Sequence, residues 1–189
     1  EAGPRILAAF HPTLSAQAAR DLEAMGVQIW LNSRVSQVDA DGIGIGKDRV
    51  GSRNVFWAAG VEPSPLGKML ATPLDPVGRV KVTDTLQTIV DPNVYVIGDM
   101  AAFAQTDGTF LPGLAPVALQ QGRHVARNIL RALAGKNQLP FRYLDKGMMA
   151  TIGRRKAVLQ FKTLKLSGGL AWIAWLFVHI YFLIGFRNR

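Results

Sequence analysis

The 189 residues contain no cysteine. That excludes disulfides and metal–thiolate centres from this stretch. No metal site is read anywhere in it. Equally missing is a Gly-x-Gly-x-x-Gly turn after a strand, the loop that lays a dinucleotide pyrophosphate on a helix N-terminus. Asp41-Gly42-Ile43-Gly44-Ile45-Gly46-Lys47 imitates a phosphate loop and fails it. The spacing before its lysine is one residue short, Asp48 stands where Ser or Thr is needed, and no helical pattern follows. Alternation and the Asp-Gly pair predict a hairpin instead. No signal peptide, internal repeat or low-complexity tract is visible. Glu1-Ala2-Gly3-Pro4 reads like the end of a strand, so the chain reads as the carboxyl-terminal part of a larger protein.

Acidic residues are scarce at one end. The net charge is +9. From residue 139 onward nine Lys or Arg face a single acid, Asp145, whereas residues 1–138 hold thirteen basic and twelve acidic side chains. A basic tail interleaved with Trp and Phe fits an anionic lipid surface. Nucleic acid is the competing partner for a basic chain. It is set aside because an apolar run follows, not a groove-reading motif. Residues 170–186 carry no charge if His179 is neutral. Seventeen helical residues reach about 25 Å, a little short of a bilayer core of about 30 Å. Trp172, Trp175 and Tyr181 are interface types. Spanning the membrane and lying on it both stay open. His179 reads as a neutral packing or interface histidine.

What is present is organised around Val94-Tyr95-Val96-Ile97-Gly98-Asp99. The β-branched and aromatic residues predict a buried strand. Gly98 ends it where a backbone must approach something large. Asp99 follows at its carboxyl end, where open α/β sheets bind ligands and where an acid suits a sugar hydroxyl. After Pro112 and Gly113, Pro116 opens a helix, and Val117, Gln121, Val125, Ile129 and Leu133 recur at helical spacing until Gly135. Strand, acid, loop and helix N-terminus form a place to hold a flavin. Elsewhere a helix is predicted over 14–25, capped by Thr13 or Ser15 and closed by Gly26. Strands are predicted over 27–31, 34–38, 54–60, 80–82 and 87–89, with a turn at 91–93 and strand-like stretches over 151–166. Gly168-Gly169 breaks the chain before the apolar run.

The strand and acid resemble the second flavin-binding signature of two-dinucleotide-fold oxidoreductases. With the helix and with Phe141-Arg142-Tyr143-Leu144-Asp145-Lys146-Gly147-Met148-Met149-Ala150-Thr151-Ile152-Gly153, the chain resembles type II NADH dehydrogenase, the single-subunit NADH:quinone oxidoreductase, over nearly its whole length. The resemblance implies an α/β fold. It would be a partial two-dinucleotide-binding, Rossmann-like flavoprotein with a membrane-associated carboxyl-terminal segment. The implied division is 1–70 as NAD-binding, 71–138 as the returning FAD-binding part, and 139–189 as membrane-binding. It implies FAD and NAD as cofactors, and a quinone and a lipid surface as partners. The implied place is peripheral, or monotopic, on the cytoplasmic face of a bacterial inner membrane or its equivalent. A homodimer is allowed.

By the same resemblance Glu1 would accept the adenosine ribose hydroxyls, and Ala59 and Gly60 would lie along the nicotinamide nucleotide. Gly98 and Asp99 would hold the flavin's ribityl chain, and Pro116 and Val117 would aim helix N–H groups at the flavin. Gln120 matches the second glutamine of the family's Ala-Gln-x-Ala-x-Gln and would contact the quinone. Pro116 replaces the first. Lys146 would stabilise an anionic product or pass a proton. Each has a plainer reading: an exposed terminal acid, a core strand, a turn, an ordinary helix residue, one more basic group. The missing cysteine counts against sulfide:quinone oxidoreductase. Two alternatives stay open. One is a non-catalytic membrane-docking module, and the other a soluble ferredoxin or rubredoxin reductase.

Overall fold

The computed structural model describes residues 1–183, so Phe186 and the closing Arg187-Asn188-Arg189 lie outside the described residues. The chain packs as two compact units. One joins residues 1–57 to residues from 146 onward, and the other holds residues 58–145. This differs from a division at 70/71 and 138/139. The physical reason is the packing of the last sheet.

In the first unit, α1 (Pro12–Glu23) carries Leu14, Ser15 and Ala18 on its buried face. Its cap is neither Thr13 nor Ser15. With Pro12 in the first turn, His11 becomes the N-cap, and its Nδ1 accepts from the Thr13 N–H at 3.3 Å. Ser15 instead turns inward and donates to the Ile6 carbonyl at 2.7 Å. The expected Asp-Gly hairpin is present: β1 (Val35–Asp39), β2 (Gly42–Ile45) and β3 (Asp48–Gly51) form an antiparallel sheet.

A second antiparallel sheet follows, from β6 (Met148–Gly153), β7 (Lys156–Phe161) and β8 (Leu164–Ser167). Successive strand side chains point to opposite faces, and β7 buries both. Val158 packs with Phe10, Leu14 and Ala18 on the α1 side. Ala157 and Leu159 pack with Ala171 of α4 (Gly168–Leu183) on the other. The His11 N–H donates to Gln160 Oε1 at 2.7 Å. The late sheet is thus the middle layer of a sandwich that includes α1, and not a region apart. The expected break falls at Gly168, where a φ of +72° turns the chain from the end of β8 straight into α4. Among the described residues no helix is long and apolar enough to cross a membrane.

Two expected strands are extended without a ladder. Residues 27–31 pair with no strand among the described residues; the Trp30 carbonyl accepts the Glu1 amino terminus at 3.0 Å, and just beyond, the Asn32 N–H donates to the Gly3 carbonyl at 2.9 Å. Among the described residues, 54–60 have no partner strand, and Phe56 is 94 % and Trp57 64 % exposed. That stretch is therefore not a buried strand here. β-propensity favours extension, but a strand needs a neighbour to pair with.

The second unit begins with α2 (Leu66–Met69), followed by β4 (Val80–Lys81), which pairs in parallel with β5 (Ala101–Ala102). Residues 86–88 run beside 94–96 through the Gln87–Tyr95 bridge and the bond from the Val96 N–H to the Leu86 carbonyl. Residues 94–97 have this neighbour on one side only. Val96 is buried, but Ile97 is 39 % exposed, so the predicted strand is half realised. The core here gathers Leu86, Phe103, Leu111, Val117, Val125 and Phe141.

Candidate functional site

Gly98 opens a short 3-10 turn, Gly98–Met100. Its φ is +65°, a conformation that costs other residues strain, and a Cβ there would stand 3.3 Å from the Ala118 Cβ. The turn therefore lies against the first turns of α3 (Ala115–Leu133). Asp99 projects from it, exposed, and makes no hydrogen bond or ion pair with the other described residues. Its carboxylate leans on Gly113, where a Cβ would be 3.1 Å from Oδ1.

Pro116 lies in the first turn of α3, as expected, and Leu114 is the N-cap without a side-chain bond. The Val117 and Ala118 N–H groups both donate to the Leu114 carbonyl, at 2.9 and 3.1 Å. The Ala115 N–H precedes any intrahelical acceptor, so the helix presents partial positive charge beside Asp99 and Gly113. The far end closes as a Schellman turn, with the Gly135 N–H on the Ala132 carbonyl and the Lys136 N–H on the Arg131 carbonyl. The buried face is Val117, Gln121, Val125 and Asn128. Ile129 and Leu133, expected on it, are exposed.

Three carboxamides on this helix fix backbone elsewhere. Gln121, 1 % exposed, accepts the Gly98 N–H on Oε1 at 2.6 Å. Gln120 both donates to the Leu144 carbonyl and accepts the Leu144 N–H, each at 3.0 Å. Asn128 treats Leu139 the same way, at 2.9 and 3.0 Å. Gln120 is thereby oriented by Leu144, with its second amide N–H left to offer. Gln121 and Gly113 are functional candidates that the sequence reading missed. The signal for Gln121 was a polar residue in the buried helical stripe. Gly113 had none.

Gly98, Asp99, Gly113, Pro116, Val117 and Gln120 are brought together within the second unit. Ala59 and Gly60 are exposed, Gly60 with φ +110° and open space around it. Glu1 and Lys146 belong to the first unit. The Glu1 carboxylate accepts the Gly3 N–H at 2.7 Å, and Lys146 is exposed. Gly147 beside it is required by crowding, since a Cβ there would meet the Gln160 carbonyl at 2.4 Å.

An ion pair between buried Asp75 and half-buried Arg79 braces the loop that precedes α3. Asp75 accepts the Arg79 N–H and Nε, both at 2.8 Å, and Arg79 Nη1 donates to the Leu111 carbonyl at 3.1 Å. Burial alone would push the Asp75 carboxyl up. The Arg79 amide, guanidinium and charge outweigh it and hold the carboxyl below the ordinary aspartate value of 3.8.

Comparison with known proteins shows the family and the fold. The pyridine nucleotide-disulphide oxidoreductase family matches residues 1–122. The chain is 40 % identical over its full length to the type II NADH:quinone oxidoreductase NdhA of Mycobacterium tuberculosis, covering 42 % of that protein. It is 31 % identical to the demethylphylloquinone reductase NdbB of Synechocystis over 96 % of this chain and 46 % of that one. Among solved structures, NDH2 of Plasmodium falciparum in complex with NADH superimposes with a TM-score of 0.85 at 17 % identity, over 97 % of this chain and 53 % of that one. The chain thus spans about two fifths of the length of the curated relatives it matches. It belongs to the pyridine nucleotide-disulphide oxidoreductase family, and within that family it is similar along its whole length to the type II NADH:quinone oxidoreductases.

Proposed function

We propose that this chain, within its full-length parent, serves the transfer of reducing equivalents from NADH through FAD to a quinone. The observation that carries the reading is Asp99. It is an exposed carboxylate without a hydrogen-bond or ion-pair partner among the described residues, on a glycine turn seated against the start of a helix. A sugar-alcohol hydroxyl is the kind of donor such a carboxylate accepts. Gly98 and Gly113 let the turn close against Ala118 and against the Asp99 carboxylate itself, so the acid sits at the backbone surface beside the helix start. These residues fit FAD. The chemistry FAD supplies when bound is acceptance of a hydride from NADH and delivery of two electrons to a quinone.

The residues of this chain bind and orient. The first turn of α3 favours negative charge near it, by about 0.3–1 kcal/mol when exposed. Gln120, held by Leu144, offers an amide N–H to a quinone carbonyl. Pro116 in place of the family glutamine removes one polar contact, so head-group orientation leans on Gln120. Glu1 favours NADH, because a carboxylate repels a 2′-phosphate. Ala59, Gly60 and Lys146 keep the roles that the resemblance implies.

Attachment to a lipid surface, as a peripheral protein on the cytoplasmic face of a bacterial inner membrane, belongs to the same proposal. It is supported by α4, whose Leu170, Ile173, Phe177, Ile180 and Tyr181 are exposed while Ala171 packs inward. Lys162 and Lys165 lie just before it, in and after the β7–β8 turn.

The test is the visible spectrum of the purified full-length parent. Adding NADH should bleach the flavin band, and adding quinone should restore it. A parent that purifies without flavin, or one bleached by NADH that quinone leaves bleached, would overturn the reading.

A further inference from the structure

We infer that Gln121 is a positioning residue for Asp99, acting through the Gly98 amide, with the Gly113 backbone as a second support. This rests on the reading of Asp99 as the flavin-binding carboxylate. Burying a carboxamide is unfavourable unless it is hydrogen-bonded. Gln121 is nearly fully buried, and its Oε1 takes the Gly98 N–H at 2.6 Å. That N–H belongs to the first residue of the turn that carries Asp99. Among the described residues the Asp99 carboxylate accepts no bond that would aim it. Its direction is set by the backbone beneath and by contact with Gly113, 3.1 Å from Oδ1 to a Cβ built there. Gln120 cannot stand in for its neighbour, since its amide is engaged with both backbone groups of Leu144. Adjacent glutamines thus do separate work, one held on the Leu144 backbone and one on the Gly98 turn.

The experiment uses the full-length parent and four variants: Asp99→Ala, Gln121→Leu, Gln121→Glu and Gly113→Ala. FAD is titrated into apoprotein by flavin fluorescence, the visible spectrum of bound flavin is recorded, and NADH affinity is measured separately. Asp99→Ala and Gln121→Leu should each weaken FAD about tenfold or more, the scale of losing a hydrogen bond to a charged group. Bound flavin in Gln121→Leu should show a shifted band, which general loss of stability would not produce. Gln121→Glu keeps an acceptor oxygen but buries a carboxyl group, so affinity and spectrum should approach the parent's only as pH falls and that carboxyl is neutralised. Gly113→Ala should weaken FAD without lowering the melting temperature, because Gly113 is exposed. NADH affinity should not change in any of them. If Asp99→Ala loses FAD while Gln121→Leu keeps parental affinity and spectrum, the positioning role is wrong and the reading of Asp99 stands. If Asp99→Ala keeps its flavin, that reading fails and the positioning role falls with it. Should Gln121→Leu not fold, Gln121→Asn decides the same question, since it keeps the carboxamide one methylene too short to reach Gly98.

Discussion

Asp75 shows how one buried charge can organise a loop. Its side chain is 2 % exposed and is answered by the Arg79 guanidinium and by the amides of Val77 and Arg79. Removing one partner of a fully buried pair costs about 3–5 kcal/mol; Arg79 is 19 % exposed and keeps some water, so losing Asp75 costs less than that. The folded carboxyl is held below its ordinary value of 3.8. Its stabilisation is therefore fully present above that value and is lost as pH falls through the lower, folded value. Asp75→Asn should lower the melting temperature at pH 7 and flatten the loss of stability on acidification below about pH 4. Thermal unfolding of both proteins at pH 7 and pH 3.5 checks this. Parallel curves with equal spacing at both pH values would contradict it.

Among the elements, α3 is legible in part. Pro116, Val117, Gln121 and Val125 lie where their spacing puts them, and Gly135 ends the helix. The second half departs because Asn128 takes the buried position to answer the Leu139 backbone. That demand comes from a segment eleven residues on, and spacing does not encode it. Gly98 and Asp99 are legible because they are adjacent at a strand end. Gln121 is 23 residues from Gly98, and its role comes only from the fold. The sheet over 148–167 is legible as strands, but its place beside α1 is not, since alternation says that β7 has two buried faces and not what covers them.

This packing also guides a test of α4. Deleting the helix would strip Ala171 from Ala157 and Leu159. Charging its outer face leaves that contact intact. Ile173 and Phe177 are 59 % and 71 % exposed. Burial of two such side chains in lipid contributes up to about 3–6 kcal/mol. In the parent, Ile173→Glu with Phe177→Glu should abolish sedimentation with anionic vesicles and most turnover of a long-tailed quinone. NADH–ferricyanide activity should persist. Unchanged sedimentation and quinone turnover would remove the membrane role from this face.

At the scale of the whole molecule, the chain matches relatives more than twice its length, and it contains no Gly-x-Gly-x-x-Gly loop. The consequence for binding can be estimated. On the proposed reading, Asp99 offers one charge-assisted hydrogen bond, about 1.5–3 kcal/mol. The start of α3 adds about 0.3–1 kcal/mol. Together they reach about 4 kcal/mol at most, whereas micromolar affinity requires about 8.2 kcal/mol. In dinucleotide folds the difference is supplied largely by glycine loops that lay the pyrophosphate on helix N-termini. The isolated 189 residues should therefore bind neither FAD nor NADH tightly, even where the Asp99 turn is correctly folded. Titration with FAD, followed by flavin fluorescence, should give no saturable quenching up to about 100 μM, where a Kd set by 4 kcal/mol would still be far away. Stoichiometric micromolar binding would mean that Asp99, Gly113 and the α3 N-terminus recognise far more of the flavin than a ribityl hydroxyl and a patch of negative charge.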